Sequence, residues 1–430
     1  MTIIRRLFIL AWLLIVLTTG CAPAPQSNSN TTVSTQPSPS PSASPSPVTT
    51  TDTASAQITL PLLDALLTDD KFVARAKQNL KLSDQQIDEI KRVSSAEVAR
   101  LRESNAEDLD SDNTNAPARA EEQLRSVLDE QKARDLSKLA NEYWSKGDTS
   151  EASADNVQML KGPNAVPTDT RVVVNIPAFR MDLFQDGSLV KSYKVGIGYP
   201  EFPLPQGLRK AQQIIFNPTW TPPDSPWVAK MKNVSPGETV EAGDKDNPLG
   251  PIKIPIGLPS LIHGGKSPAK IGKFASHGCV GLTNAQIKDF ATMLGQISNT
   301  PDVPTRMATY LENKEKTQTV KLNQVVPVEL RYETIVIEDG KLHIYRDVYA
   351  QDTNTEENLR RVLEANGLKL EDLSEQQRTQ ILNALKSPVK KEIVVDLGTV
   401  AQKGYPAPVE LDTGNADKTD KQRGSKRIKR

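Results

Sequence analysis

Cysteine and histidine are scarce in this 430-residue chain, which has two of the first and three of the second. Two cysteines cannot build a disulfide framework. If Cys21 is modified as described below, Cys279 has no partner, and a lone thiol in an exported protein is either buried and inert or kept for chemistry. Net charge is also lacking. Lys+Arg and Asp+Glu both number 53, so no overall field draws the protein to nucleic acid or another polyanion. A substrate recognised by groove chemistry fits better. No hydrophobic run is long enough to cross a bilayer comfortably, the N-terminal one covering only Leu7–Leu17. Proline is abundant instead: 31 prolines mark part of the chain as unfolded, while 37% hydrophobic and 25% charged residues leave enough for a sizeable core. One catalytic domain with accessory segments is the natural division.

Residues 1–21 have the form of an export signal, with Arg5 and Arg6, the apolar run, and then Thr18-Thr19-Gly20 before Cys21. A small residue directly before Cys resembles the bacterial lipobox, in which that Cys becomes the lipidated N-terminus; Thr18 stands where a larger aliphatic residue is usual. The other reading is an ordinary cleaved signal with an incidental Cys. Residues 22–57 are Ser, Thr and Pro with almost nothing apolar, a tether that at about 3.1 Å per residue reaches on the order of 100 Å.

From 58 to 150 the apolar period is helical, as in Leu63, Leu66 and Leu67, then Phe72, Val73, Ala76 and Leu80, then Ile87, Ile90 and Val93. Ser83 and Gln86 form a capping box in a pattern, Leu82 to Ile90, that returns at Leu373 to Ile381. The pattern faintly resembles the Leu-Thr-x-x-Gln motif of periplasmic helical chaperones, although a helical accessory module is the plainer reading. Residues 355–387 are again helical and are expected to pack on that first module. The end of the chain, 410–430, becomes polar and basic from Asn415 and is expected to be disordered.

Between 168 and 350 the texture is that of strands. Arg171-Val-Val-Val-Asn-Ile is a buried run, Met181–Phe184 and Leu189-Val flank a tight Asp186-Gly187 turn, and further short strands follow as far as Leu342–Tyr345. One helix is expected from Asn284 to about Leu294, capped by Thr283. The fold class is α+β: a mostly antiparallel β sandwich or barrel-like catalytic domain with flanking α-helical segments.

The stretch Leu261–Leu282 gathers two of the three histidines, His263 and His277, with Cys279 and several glycines. A nucleophile and a nitrogen base so concentrated read as a cysteine active site. A free thiol with pKa near about 8.5 is only a few per cent thiolate at neutral pH, so it needs a base or an imidazolium beside it. If Ser276–Val280 is extended, His277 and Cys279 share a face. No further ligand pair or carboxylate sits at metal-site spacing, so zinc on His263, His277 and Cys279 is disfavoured and no cofactor is implied. His343 reads as a strand residue on a solvated face, without a role. Trp220 and Trp227 are either core anchors or walls of a groove.

These blocks resemble the YkuD-type L,D-transpeptidase family of bacterial cell-wall enzymes. The family's His, spacer and Ser/Thr-His-Gly-Cys are present as His263 and Ser276-His277-Gly278-Cys279; Pro203-Leu-Pro-Gln-Gly207, Asn217-Pro-Thr-Trp220 and Asn247-Pro-Leu-Gly250 resemble its upstream elements. Val326–Tyr332 with Asp339-Gly and Asp347-Val-Tyr349 resembles the closing hairpin of larger members. The spacer is short, twelve residues, and Gly281 stands where most members carry Arg. The resemblance implies Cys279 as nucleophile and His263 as its base, oriented by the Gly264 carbonyl. It further implies that His277 lines the site, that Gly278 and Cys279 N–H groups hold the oxyanion, and that Ser276 fixes the loop. With no Arg at 281, substrate placement falls to Arg209 or Lys210, or is weaker. The implied partners are peptidoglycan stem peptides, with a neighbouring stem, a wall-anchored protein or water as acyl acceptor, and a membrane reached through the N-terminal lipid. The rival outside enzymes is a wall-binding scaffold for the helical module.

Overall fold

The computed structural model describes residues 58–104, 116–146, 158–222, 228, 231–257, 260–398 and 404–414. The N-terminal apolar run, Cys21, the Ser/Thr/Pro segment, Trp227 and residues 415–430 lie outside them. Among the described residues no helix is long and apolar enough to cross a membrane.

Runs of alternating or wholly apolar residues fold as strands β1 (Arg171–Asn175), β2 (Arg180–Gln185), β3 (Ser188–Lys194), β4 (Ile197–Gly198), β5 (Gly207–Phe216), β6 (Ile252–Pro255), β7 (Leu261–His263), β8 (Phe274–Ser276), β9 (Val280–Gly281) and β10 (Gln318–Arg331). Eight of them make one sheet, in the order β3-β2-β1-β10-β5-β6-β7-β9. Only β1–β10 and β7–β9 run parallel; every other neighbour is antiparallel. The two ends of this sheet meet. Gly196, just after β3, exchanges both backbone hydrogen bonds with Gly281 of β9 at 2.9 Å, so the sheet curls back on itself. Glycine is required there, because a Cβ at Gly196 would lie 2.5 Å from that of Ala275. The parallel pair β4–β8 adjoins the seam.

Inside the curl, Val172, Val174, Leu183, Ile214, Phe216, Ile254, Ile262, Val280 and Val328 form a buried core. The first long helix after the cysteine completes it. Thr283 and Gln286 make a reciprocal capping box, and the helix Asn284–Ile297 lays Ile287, Phe290 and Leu294 into the barrel. A second helix, Val303–Glu312, returns the chain to β10.

The N-terminal module consists of α1 (Leu60–Leu66), α2 (Asp70–Leu80), α3 (Asp84–Ser104), α4 (Ala116–Val127) and α5 (Glu130–Lys146), so the helices of the barrel are α6 and α7. Its apolar stripes close their own core around Leu63, Phe72, Ile90, Leu124, Leu136 and Trp144. Ser83 and Gln86 do exchange capping hydrogen bonds, at 3.2 and 3.1 Å. The module is fastened to the barrel by Thr59, whose hydroxyl donates to the Glu201 carbonyl at 2.7 Å, and by Arg209, whose guanidinium donates to the Trp144 carbonyl.

Two expectations about the C-terminal part are corrected. Helices α8 (Glu356–Ala365) and α9 (Glu375–Leu385) share a core with β11 (Ile335–Glu338), β12 (Lys341–Ile344) and β13 (Ile393–Asp396), not with the N-terminal module. The physical reason is that the three-stranded sheet β11-β12-β13 offers an apolar face, Ile335, Ile337, Leu342 and Val395, that Leu359, Leu363 and Ile381 cover. Residues 410–414 are also held in place: Asp412 N–H donates to Ser192 O, and Lys194 N–H to Asp412 O, both at 2.9 Å. Thus a terminal strap runs along β3, and Gln286 of α6 reaches its Asp412 carbonyl at 3.0 Å.

Candidate active site

Register decides what meets here. In the parallel pair β7–β9, Ile262 lies beside Val280 and His263 beside Gly281. Ile262 and Val280 point into the core, so the alternation of strand side chains turns His263 and Gly281 outward. Cys279 is two residues before Gly281, on the segment that leads into β9. Cys279 is a free thiol with a partly exposed side chain.

The expected extended geometry of Ser276–Val280 is corrected. The strand β8 ends at Ser276, and Gly278 adopts φ +86°, which a side-chain-bearing residue strongly disfavours. The chain therefore bends at 277–279. Ser276 ties the bend: its hydroxyl donates to the Cys279 carbonyl and accepts the Cys279 N–H at 3.1 Å. This occupies one of the two N–H groups expected to serve an oxyanion and leaves that of Gly278, for which no hydrogen bond is found within the described residues.

Leu261 of β7 packs on a separate apolar cluster of Trp220, Val228 and Leu249, and His263 is 3% exposed. Its Nδ1 lies 2.8 Å from the Gly264 carbonyl. A carbonyl only accepts, so Nδ1 carries the proton and Nε2 of the neutral ring does not. Burial, followed by the charge of Lys266, lowers the His263 pKa to about 3, against the weaker pull of the Gly264 and Leu249 carbonyls. Burial pushes the Cys279 thiol up, while the Leu261 N–H and the Lys266 ammonium favour its thiolate. The resting pair is accordingly a thiol beside a neutral imidazole.

His277 sits against two aromatic rings, Tyr199 with centroids 5.3 Å away and Phe202 at 4.9 Å. That wall is braced by Tyr349, whose hydroxyl donates to Gly198 O at 2.9 Å and accepts from Leu204 N–H at 3.1 Å. Trp220 is an anchor of the apolar cluster with Val228 and Leu249, paired through both backbone bonds with Val240. Arg209 is not brought to the thiol. It is 2% exposed, and its guanidinium is engaged by the carbonyls of Trp144 and Gly257, the latter at 3.3 Å. Lys210 alternates to the opposite face of β5.

Sequence reasoning missed Lys253 and Lys266. Lys253 pairs with His263 in register, and Lys266 lies along Gly281. No spacing rule marks either one, because each approaches from a neighbouring strand or loop. The missing Arg at 281 was the available signal that a charge had to come from elsewhere.

Residues 169–321 match the YkuD family, described as the L,D-transpeptidase catalytic domain. A protein of Escherichia coli (strain K12) described as a probable L,D-transpeptidase, ErfK/SrfK, is 30% identical over 122 residues, which is 27% of this chain and 38% of that protein. This chain therefore spans well under half of that relative's length. Among solved structures, the catalytic domain of an E. faecium L,D-transpeptidase is 17% identical, over 39% of this chain and all of that one, with a TM-score of 0.26. An L,D-transpeptidase from Mycobacterium smegmatis is 16% identical over 38% of this chain and 58% of its own, with a TM-score of 0.23.

The bend at Gly278 generates a test. Gly278→Ala should cost about 1–2 kcal/mol of unfolding free energy in a denaturant titration, the usual cost of left-handed backbone. It should also slow alkylation of Cys279 at neutral pH. A variant unchanged in both would show that the bend does not hold the thiol.

Proposed function

Starting from a chain that carries a YkuD-type L,D-transpeptidase catalytic domain across residues 169–321, we propose that it is a cysteine acyltransferase of the peptidoglycan layer. The observation that carries this reading is the pairing of His263 with Gly281, two residues after Cys279, together with the Nδ1 contact of His263 to the Gly264 carbonyl. His263 Nε2 takes the thiol proton as Cys279 Sγ attacks the amide carbonyl that joins a meso-diaminopimelate-type residue to the terminal D-alanine of a stem tetrapeptide. The Gly278 N–H stabilises the oxyanion, and His277 with Tyr199 and Phe202 forms one wall. As the tetrahedral intermediate collapses, the C–N bond breaks and the proton on His263 passes to the leaving amine, so that D-alanine departs and a thioester remains. An acceptor amine, from a neighbouring stem or an anchored protein, then attacks the thioester; its proton returns through His263 and the thiol is restored. Lys253 and Lys266 give the cleft a positive face suited to a substrate with free carboxylates.

A neutral His263 supports general-base attack rather than a preformed thiolate–imidazolium pair. The export signal and Cys21 support a protein tethered by lipid to an envelope membrane, with residues 22–57 as spacer.

Incubation with stem tetrapeptide, read by mass, tests the reaction. A cross-linked dimer with release of D-alanine is expected. Tripeptide alone would make the protein a carboxypeptidase, and the absence of any thioester would leave a wall-binding scaffold. Cys279→Ser should abolish acylation by tetrapeptide and by a carbapenem, and His263→Ala should slow it by about 10²–10⁴-fold. Tethering is tested separately. Metabolic palmitate should label the wild-type protein and not Cys21→Ser; equal labelling, or none in either, contradicts lipidation at Cys21.

A further inference from the structure

The loop after β7 carries a cation into the site that the motif around the cysteine does not include. Lys266 donates its backbone N–H to the Leu282 carbonyl at 3.0 Å, which fixes the start of its side chain beside β9. The aliphatic stem then lies across Gly281. A Cβ built at Gly281 would fall 2.8 Å from Lys266 Cγ, 3.0 Å from Cε and 3.4 Å from Cδ. The stem therefore fills the space that any side chain at 281 would take. Gly281 faces outward with His263, and Cys279 lies two residues before it, so the stem runs beside the short segment that bears the thiol. Lys266 is half-buried, and among the described residues no carboxylate forms an ion pair with it.

We propose that Lys266 is a positioning residue of the site, its ammonium stabilising the thiolate of Cys279 from the room that Gly281 leaves open. The inference rests on the reading of Cys279 as nucleophile. It answers a difficulty in that reading: burial keeps His263 neutral, so the imidazole supplies no positive charge to the free thiolate. The other titratable groups on the elements that adjoin Cys279 are His263 of β7, His277 of the bend, Lys253 of β6 and Lys270 of the turn Pro268–Lys270. Lys253 is turned to the Thr219 carbonyl at 3.2 Å, and Lys270 acts on Lys266 by repulsion. Lys266 and Cys279 each shift the other toward the charged form. In a partly desolvated cleft such a pair is worth far more than in water. The absence of a side chain at 281 is thus a steric condition for the lysine and not a loss of function.

The test is the pH profile of Cys279 alkylation by iodoacetamide, followed by intact mass on the full chain. Removing the ammonium takes away a positive charge that favours the thiolate, so the inflection must move up. Lys266→Met, which keeps an unbranched apolar stem, should raise it by about one unit, an alkylation rate roughly 10-fold lower at neutral pH. Lys266→Arg should restore most of the wild-type profile. Gly281→Ala, which pushes the stem aside while leaving the lysine in the sequence, should raise the inflection as well. Superimposable profiles for wild type, Lys266→Met and Gly281→Ala, with tetrapeptide still acylating Cys279, overturn the inference and leave the proposed function standing. A raised inflection without any acylation by tetrapeptide upholds the electrostatic pairing and overturns the function.

Discussion

The parallel pairing of β7 with β9 is the constraint on which the rest of the molecule depends. It is short, with two register pairs, Ile262 with Val280 and His263 with Gly281. Ile262 and Val280 are buried in the barrel core, so a slip of one residue would turn them outward and drive His263 inward. Burial of the even face thereby sets the chemistry of the odd face. The seam between Gly196 and Gly281 locks the same strand from its other side, and α6, capped at Thr283, holds its C-terminal end. The helical module, the curled sheet and the terminal strap all bear on this short pairing: Thr59 fastens the module to Glu201 in the loop of Phe202, and the strap reaches α6 through Gln286.

Desolvation then divides the work among the side chains. Burial deprives His263 of water, which disfavours the imidazolium, and the Gly264 carbonyl keeps the proton of the neutral ring on Nδ1. The same environment disfavours the thiolate of Cys279. In the proposed reaction a proton transfer between two neutral partners would create opposite charges together, with fixed groups to stabilise each: the Gly264 carbonyl for the imidazolium, the Leu261 N–H and Lys266 for sulfur. Such groups act without reorganising at the moment of reaction.

Much of this was legible in the chain. The Asp186-Gly187 turn, the capping boxes at Ser83, Thr283 and Ser374, and the strand texture from Arg171 onward are local signals, and each is realised locally. The Nδ1 contact between His263 and Gly264 joins adjacent residues, so the motif contained it. What remained hidden depends on register or on distant packing. Lys253 meets His263 only because β6 pairs with β7, and Lys266 meets Cys279 only because β9 returns beside β7. Arg209 looked available for substrate because nothing in its neighbourhood shows that α5 will bring the Trp144 carbonyl to it. The partner of α8 and α9 was misjudged for the same reason, since a shared sequence pattern says which face is apolar and not which sheet covers it. The extended reading of Ser276–Val280 failed at one glycine, whose left-handed backbone ends the strand.

The central claim is that the base beside the thiol is a buried, neutral imidazole with its proton on Nδ1. Nitrogen chemical shifts of the histidines in ¹⁵N-labelled protein, followed from about pH 5 to 8 where an ordinary histidine titrates, test it directly. With only three histidines, the signals are assignable by substitution of His277 and His343. His263 should show one protonated and one unprotonated nitrogen, unchanged across the range. A ring that titrates near its ordinary value, or that stays doubly protonated opposite a thiolate, would contradict the account.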